Sequence, residues 1–527
     1  MNLLNLKKRT FLKNLIKFTC YFPFLDFFLK EKKIFASSKT LKINLSDLPQ
    51  IPWDMYEASL HVLSTFNLAV HGTLIKQKYH SYFLIENFNI SEKKITLFLK
   101  KQFFFHNSRE VNAYDVEFSI YKELLINPKS NYIKNLLSAV VGIDTLTVNN
   151  IQTVTYNSIE YPSGFIAGIK VLDPYTLIIS LKQCDHYFIE NINNPRLPIV
   201  PIEELQPDLK TWKKVPIGFG PYLVQSANTY NHEYILRKTN KNISGPWLIK
   251  LFFHDNDAAD IYLLYRYRLS QINKHLVTKT LPQLYENAGF LYNYQTPLGQ
   301  NIHFRKAISY ALDRQKIAES VSFQEITPEA YLLPLNTLDA KYSSSLCKAE
   351  HDLTMAQYHL NLVPKELWAN KILYVPTLMD FTNIATIPYL REMKTQLKKI
   401  GLIIEFMETN VQYDKFYTHD PHCLWFTGFA LQEANPIKNF LYFSANSYFD
   451  FEHPNDPVYD NLIKKTLETC VNDKHYLKIL NKYFKEQELM TVVFNNYMNF
   501  SYNPKTIESI GKQLDSSAIN LTEIKLI

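Results

Sequence analysis

The sequence predicts a mixed α/β protein built from several domains. Three observations carry that reading. The chain has 527 residues, which at about 150 residues per domain allows two to four domains. Apolar residues make up 46% and charged residues 20%, the balance of a globular chain able to bury a large core. Strand-like and helix-like patterns alternate, most clearly over residues 371–406. Glycine is scarce, with 12 residues where average usage of about 7% would give roughly 37. That argues against collagen-like repeats, glycine-rich linkers and several phosphate-cradling loops.

The first 38 residues stand apart by charge. They hold eight basic residues (Lys7, Lys8, Arg9, Lys13, Lys17, Lys30, Lys32, Lys33) against Asp26 and Glu31, while the whole chain carries only +7. The body is therefore near neutral and has no long basic block of the kind a nucleic-acid surface needs. The leader reads as an export signal: a basic stretch Lys7–Lys13, an apolar stretch from Phe18 to Leu29 broken by Asp26, and small residues Ala36, Ser37 and Ser38 suited to cleavage after Ser38. Lys8-Arg9-Thr10-Phe11-Leu12-Lys13 is similar to the twin-arginine pattern, with Lys in place of the first Arg. The competing reading is an amphipathic helix that stays attached at a membrane surface. Thr19 before Cys20 does not fit a lipoprotein cleavage box. No later run approaches about 18 uninterrupted apolar residues, so no membrane span is expected in the body.

Cys184, Cys347, Cys423 and Cys470 are too scattered for a disulfide scaffold. The last three share one stretch, which leaves room for one bridge of unassigned pairing.

Along the body, residues 95–100 and 176–181 read as strands and residues 113–124 as a helix. Pro195, Pro198, Pro201, Pro207 and Pro216 punctuate a connecting region. Lys371–Val375 is a strand signal. Ile387, Leu390, Met393, Leu397 and Ile400 then recur at spacings that line one helical face, with Pro388 in the first turn and Gly401 as the exit cap. Leu402–Phe406 is the next strand. Strand, helix and strand in that order predict a βαβ unit and hence parallel strands. Helices at 458–470 and 474–488 continue the layer.

Four segments in fixed order resemble the family 5 extracellular solute-binding proteins, the periplasmic dipeptide- and oligopeptide-binding receptors of ABC importers. Ile95–Lys100 with His106 and Asn112-Ala113-Tyr114-Asp115-Val116-Glu117-Phe118-Ser119 form the first. Pro216-Ile217-Gly218-Phe219-Gly220-Pro221-Tyr222 is the second. Phe304-Arg305-Lys306-Ala307-Ile308-Ser309-Tyr310-Ala311-Leu312-Asp313-Arg314 is the third, and Gln396-Leu397-Lys398-Lys399-Ile400-Gly401-Leu402 the fourth. Order and spacing hold from about residue 40 to the end. Locally, Gly218, Gly220, Pro221 and Tyr222 read as a fixed turn feeding a strand. Arg305 and Asp313 read as structural positions of the motif, and Asp115 as a local cap or ion-pair member.

The resemblance implies a two-lobed periplasmic-binding-protein fold of the large peptide-binding type (class II), with an extra subdomain. It implies an export signal (1–38), a discontinuous lobe I (39–66, 190–255 and 490–527), an inserted subdomain (67–189) and lobe II (256–489). The implied function is capture of a peptide or related solute by lobe closure and delivery to a membrane permease. A monomer is expected, with no nucleic acid, no metal and no cofactor. Ligand-facing residues are Trp425, Phe429, Gln432 and Glu433. The family places an aspartate for the peptide amino group at the position held here by Gln432, so either Glu433 substitutes or the ligand lacks a free amino group. A chelate, haem or a modified peptide is the alternative ligand. The stretch Tyr262–Asn273 also departs, lacking the family's Gly-acidic-x-Asp run. No G-x-S-x-G elbow and no H-E-x-x-H occurs, so a secreted hydrolase has no evident nucleophile or metal motif. The best metal-like grouping, Cys347 and His351 with His419, His422 and Cys423, has unorthodox spacing and reads as ordinary surface residues.

Overall fold

A computed structural model describes residues 40–45, 60–76, 82–128, 130–146, 151–185, 187–194, 197–228, 233–253, 258–263, 275–321, 326–334, 351–377, 387–408, 422–430, 436–445, 454–468, 474–513 and 518–527. The expected export segment 1–38 lies outside them, as do Gln432 and Glu433. Among the described residues no helix is long and apolar enough to cross a membrane.

The described strands form one 11-stranded sheet and three small ones. The large sheet comprises β1 (Thr40–Asn44), β2 (Tyr222–Asn228), β3 (Glu233–Lys238), β4 (Leu248–Phe252), β5 (Ile261–Tyr262), β6 (Val277–Tyr292), β7 (Ile326–Pro328), β8 (Ile372–Thr377), β9 (Ile403–Glu408), β10 (Leu424–Ala430) and β11 (Met490–Tyr502). Their order is β9-β8-β10-β6-β11-β5-β1-β4-β3-β2, with β7 also on β11. The expected βαβ unit is present: Ile372 pairs with Ile403 in parallel, and the helix Pro388–Lys398 connects the two strands. Ile387, Leu390, Met393, Leu397 and Ile400 are all buried, and Gly401 takes the left-handed φ of +90° that a helix exit favours. Strand β8 runs through Pro376 to Thr377 rather than stopping at the proline. Pro376 is buried in the parallel register opposite Met407, so its missing N–H does not end the strand.

The apolar packing falls into three main bodies. Leu41, Ile43, Val62, Tyr222, Leu251, Ile261 and Phe500 form one core. Leu97, Val116, Leu136, Leu177 and Phe188 form a second, around the sheet of Ile85–Ser91, Lys94–Leu99, Thr176–Ser180 and Ile169–Asp173. The β8–β10 end of the large sheet is packed on both faces. Phe290, Val375, Met393, Phe426 and Phe494 fill one face; Leu291, Trp425, Phe440, Tyr459 and Val492 fill the other. Alternation of side chains along a strand sends neighbours such as Phe290 and Leu291 to opposite faces.

The second core is tied down by polar groups. Asn112 caps the helix Ala113–Ile126, accepting from Tyr114 N–H at 2.8 Å, while Asp115 accepts from Asn112 N–H at 2.9 Å. This is a reciprocal capping box. Arg109 grips the fully buried Asp115 through two parallel bonds of 2.8 and 2.6 Å, and it also pairs with Glu203. The cap reading of Asp115 therefore holds, with a buried ion pair added.

The turn Gly218–Tyr222 is a packing device. A Cβ on Gly218 would lie 2.2 Å from Val70 O, and one on Gly220 2.4 Å from Ala69 O. The absence of side chains lets the turn close on the end of the helix Leu60–Val70, where Gly220 N–H donates to Val70 O at 2.8 Å. His106 locks the turn from the other side. Its Nε2 contacts Gly220 O at 3.0 Å, and Gly218 N–H donates to its Nδ1 at 3.4 Å. That pair of bonds needs a neutral ring protonated on Nε2. Burial accordingly pushes the His106 pKa down to about 4, and burial with the nearby His106 and Lys122 takes His71 down to about 3. Tyr222 is fully buried and donates its hydroxyl to Pro246 O at 3.1 Å.

Two outcomes are expected. Asp115→Ala removes half of the capping box and leaves Arg109 to Glu203 alone, and should cost about 1–3 kcal/mol; denaturant titration of the second core measures it, and an unchanged midpoint would contradict the ion-pair assignment. The histidines give a pH dependence. An unfolded histidine titrates near 6.5 and folded His106 near 4, so between these values the unfolded chain binds a proton that the folded chain excludes. Stability should rise with pH from about 4 to about 6.5 and level off above. His106→Gln should shallow that slope in melts at pH 5 and 7; an identical slope would show that His106 is not held neutral.

Candidate functional site

The site follows from strand direction. β1, β4 and β5 are parallel, with their carboxyl ends at Asn44, Phe252 and Tyr262. β8, β9 and β10 are also parallel, with their carboxyl ends at Thr377, Glu408 and Ala430. β6 and β11 run antiparallel to one another through both halves. β5 pairs antiparallel with β11 at Ser501 and Tyr502, and β10 pairs antiparallel with β6 from Glu286 to Tyr292. The two parallel sets therefore point their carboxyl ends at each other. Ligands of open α/β sheets bind outside carboxyl ends, and concave sites form between packed bodies.

Between the two sets β6 is irregular. Its pairing with β11 shifts register between Thr280 and Leu284 and again between Leu284 and Glu286. Bulges bend a strand and re-aim its side chains. Glu286 resumes regular pairing and is only 5% exposed. Its Oε1 accepts from Asn496 Nδ2 at 2.9 Å. A Cβ on Gly428 would lie 2.5 Å from Glu286 Oε2, so the carboxylate occupies the space that a side chain at 428 would take. Nearby on β11, the buried Asn495 is bonded to Glu329, which also accepts from Ala330 and Tyr331 N–H at 2.8 and 3.0 Å. Burial raises the Glu329 pKa against those bonds. Arg314 donates to Val492 O at 2.9 Å and to Ser309 Oγ at 3.0 Å.

The expected ligand-facing residues fare differently. Trp425 and Phe429 lie on β10, but on the opposite face from Glu286 by strand alternation. Trp425 is 1% exposed and Phe429 7%. Phe429 stacks edge-on against Tyr442 at 5.0 Å and packs on Phe443 at 5.4 Å. Both rings fill core. Gln432 and Glu433, outside the described residues, follow the carboxyl end of β10. Arg305 is buried and donates to Gly299 O and Gln300 O, both at 2.8 Å, and to Gln487 O at 3.0 Å, beneath the Tyr294 ring. Asp313 caps the helix Arg314–Glu319 through Lys316 N–H at 3.1 Å, and the bonds from Lys316 hold its carboxyl below the usual range. Gly218, Gly220, Pro221 and Tyr222 form the turn described above. Among the described residues no group of three His, Cys, Asp or Glu side chains is placed to hold a metal ion. Of the body cysteines, Cys423 is a buried thiol and Cys184 is disulfide-bonded.

Sequence reasoning missed Glu286 and Lys438. Neither position carries a local signal: Glu286 is followed by Asn287 and Lys438 by Asn439. Lys438 is 2% exposed, and its ammonium donates to Leu136 O at 2.7 Å and Asn135 O at 3.2 Å. Those carbonyls end the helix Asn131–Leu136, where a cation is favoured. The contact joins the second core directly to the β8–β10 body.

Comparison with known proteins adds the following. Residues 84–243 match the family model of bacterial extracellular solute-binding proteins, family 5 Middle. No curated protein matches the chain in sequence. A dipeptide-binding protein from Pseudoalteromonas sp. SM9913, solved with Met-Leu, superposes with a TM-score of 0.71 at 17% identity, over 93% of this chain and 100% of that one. Haemophilus influenzae OppA in complex with RPPGFSPFR gives 0.72 at 14% identity, over 93% and 99%. The binding protein AgaA of A. tumefaciens R10, in complex with agropinic acid, gives 0.70 at 17% identity, over 93% and 99%. The resemblance to the family 5 solute-binding proteins read from the motifs is borne out, and the fold is the two-lobed binding-protein fold.

Proposed function

We propose that this chain, with a middle segment matching the family 5 solute-binding proteins and their two-lobed fold, is the solute-binding component of an ABC importer that captures peptides. The observation that carries the reading is the facing of two parallel strand sets across the paired strands β6 and β11. Such a junction forms a cleft whose two walls can move together around a solute. Peptide-bearing relatives of the same fold support peptides as the solute class. Binding without turnover is the expected activity, followed by presentation to a membrane permease.

In this reading residues 39–66, 190–255 and 490–527 make lobe I, 67–189 the inserted subdomain and 256–489 lobe II. Gln432 and Glu433 are the proposed ligand-facing residues, as the family's motif implies. The leader 1–38 directs export to the periplasm and is removed. The disulfide at Cys184 suits an oxidising compartment.

Native mass spectrometry on residues 39–527, purified without denaturation and repeated after unfolding, tests the solute class. A ladder of peptide masses released on unfolding is expected. One discrete non-peptide mass would contradict the peptide reading and point to a dedicated carrier of that compound.

A further inference from the structure

We propose that His303 and His359 form a binding site for a divalent transition-metal ion of the nickel, copper and zinc group, separate from the solute cleft and independent of which solute the chain captures. The two rings come from different helices, Ile302–Ala311 and Leu353–Asn361. Geometry, preorganisation and charge state carry the assignment.

The Nδ1 atoms of His303 and His359 lie 2.9 Å apart. Two imidazole nitrogens about 2.0–2.1 Å from one ion are about 2.9 Å apart when they subtend a right angle, and about 3.3 Å apart at a tetrahedral angle. A small turn of each ring therefore admits an ion. Imidazole suits ions of this group, and water completes the coordination. No third His, Cys, Asp or Glu is placed beside the pair among the described residues, so the protein supplies two donors.

Both rings are held in place before any ion binds. His303 lies in the first turn of its helix, where its backbone N–H donates to Asn301 Oδ1 at 2.9 Å. His359 is buried, and the Tyr310 ring lies flat against it, with centroids 5.6 Å apart and planes inclined by 9°. Tyr358 meets it edge-on at 5.3 Å. Asp352 N–H donates to Tyr310 O at 3.0 Å, which ties the start of the second helix to the first. Ala307 and Ala356 are fully buried in one core beneath the two helices. Side chains ordered in this way lose little freedom when they take up a ligand.

A hydrogen bond between two Nδ1 atoms needs a lone pair on one of them, so the rings are not both protonated. Burial, with His303 and Lys306 nearby, holds the His359 pKa below the usual histidine range. When an ion enters, the ring that carries its proton on Nδ1 moves it to Nε2 through solvent. Both Nδ1 lone pairs then face the ion with no net change in bound protons. The nearby Lys306 opposes the ion's charge.

The pair is remote from the cleft. His303 follows the end of β6 at which Tyr292 pairs with Leu424, the first residue of β10. The facing strand ends lie at the other end of β10, at Ala430. The ion joins two helices and lines no part of that junction.

The test uses the untagged full chain and NiCl2 alone, followed by isothermal titration calorimetry at neutral pH. The wild type should bind one Ni2+ per chain in its tightest phase. His303→Gln and His359→Gln should each weaken that phase by roughly a hundredfold, the gain of two linked ligands over one. His475→Gln, at an exposed histidine on another helix, should leave it unchanged. With Cu2+ in place of Ni2+, pulsed electron paramagnetic resonance should show two coordinated imidazoles in the wild type and one fewer in either site variant. Lys306→Gln should tighten Ni2+ binding severalfold by removing the opposing charge. Where a histidine variant does not fold, Lys306→Gln decides: tighter binding places the ion beside it, and unchanged binding overturns the inference. Unchanged Ni2+ affinity in folded His303→Gln and His359→Gln also overturns it, as does a wild type that binds no Ni2+.

Discussion

The antiparallel pairing of Val277–Tyr292 with Met490–Tyr502 is the constraint from which the rest follows. These two strands are long enough to cross from the core of Leu41, Ile43 and Phe500 to the core of Phe290, Val375 and Phe426. Their opposed directions fix how every neighbouring strand can dock. β5 must run against one and β10 against the other, so two sets of parallel strands end face to face. The register shifts beside Glu286 lie at the crossing, where a sheet shared by two bodies has to bend. The facing of the two strand sets at this point is a consequence of chain direction.

Polar groups are spent unevenly across the molecule. In the second core they build structure: the Asn112 and Asp115 capping box, the Arg109 fork and the neutral His106 clamp all satisfy backbone or buried charge locally. Arg305 does the same for the carbonyls of Gly299, Gln300 and Gln487. At the crossing the polar groups are of another kind. Glu286, Asn287, Asn495 and Asn496 are all buried within a sheet of otherwise apolar packing. Lys438 joins the second core to the β8–β10 body, its ammonium placed on the carboxyl end of the helix Asn131–Leu136, where it reaches Leu136 O, 302 residues away in sequence.

Much of this was legible in the residues. The helix Pro388–Lys398 and its flanking strands came from spacing alone, because a 3.6-residue period, an N-terminal proline and an exit glycine all agree there. The order of motifs gave the fold. Trp425 and Phe429, expected to face the ligand, sit by alternation along β10 in the packing around Tyr442 and Phe443. Glu286 was not found, since its meaning depends on a strand more than 140 residues away that supplies Gly428 and on another that supplies Asn496. Pairings of that range leave no local pattern.

The most direct test of a two-walled cleft is small-angle X-ray scattering of residues 39–527, stripped of ligand by unfolding and refolding, before and after addition of an equimolar library of tri- to pentapeptides. Closure across β6 and β11 predicts a smaller radius of gyration and a shorter maximum dimension when peptide is bound. An unchanged scattering profile at saturating peptide would contradict an account in which the two strand sets close on the solute.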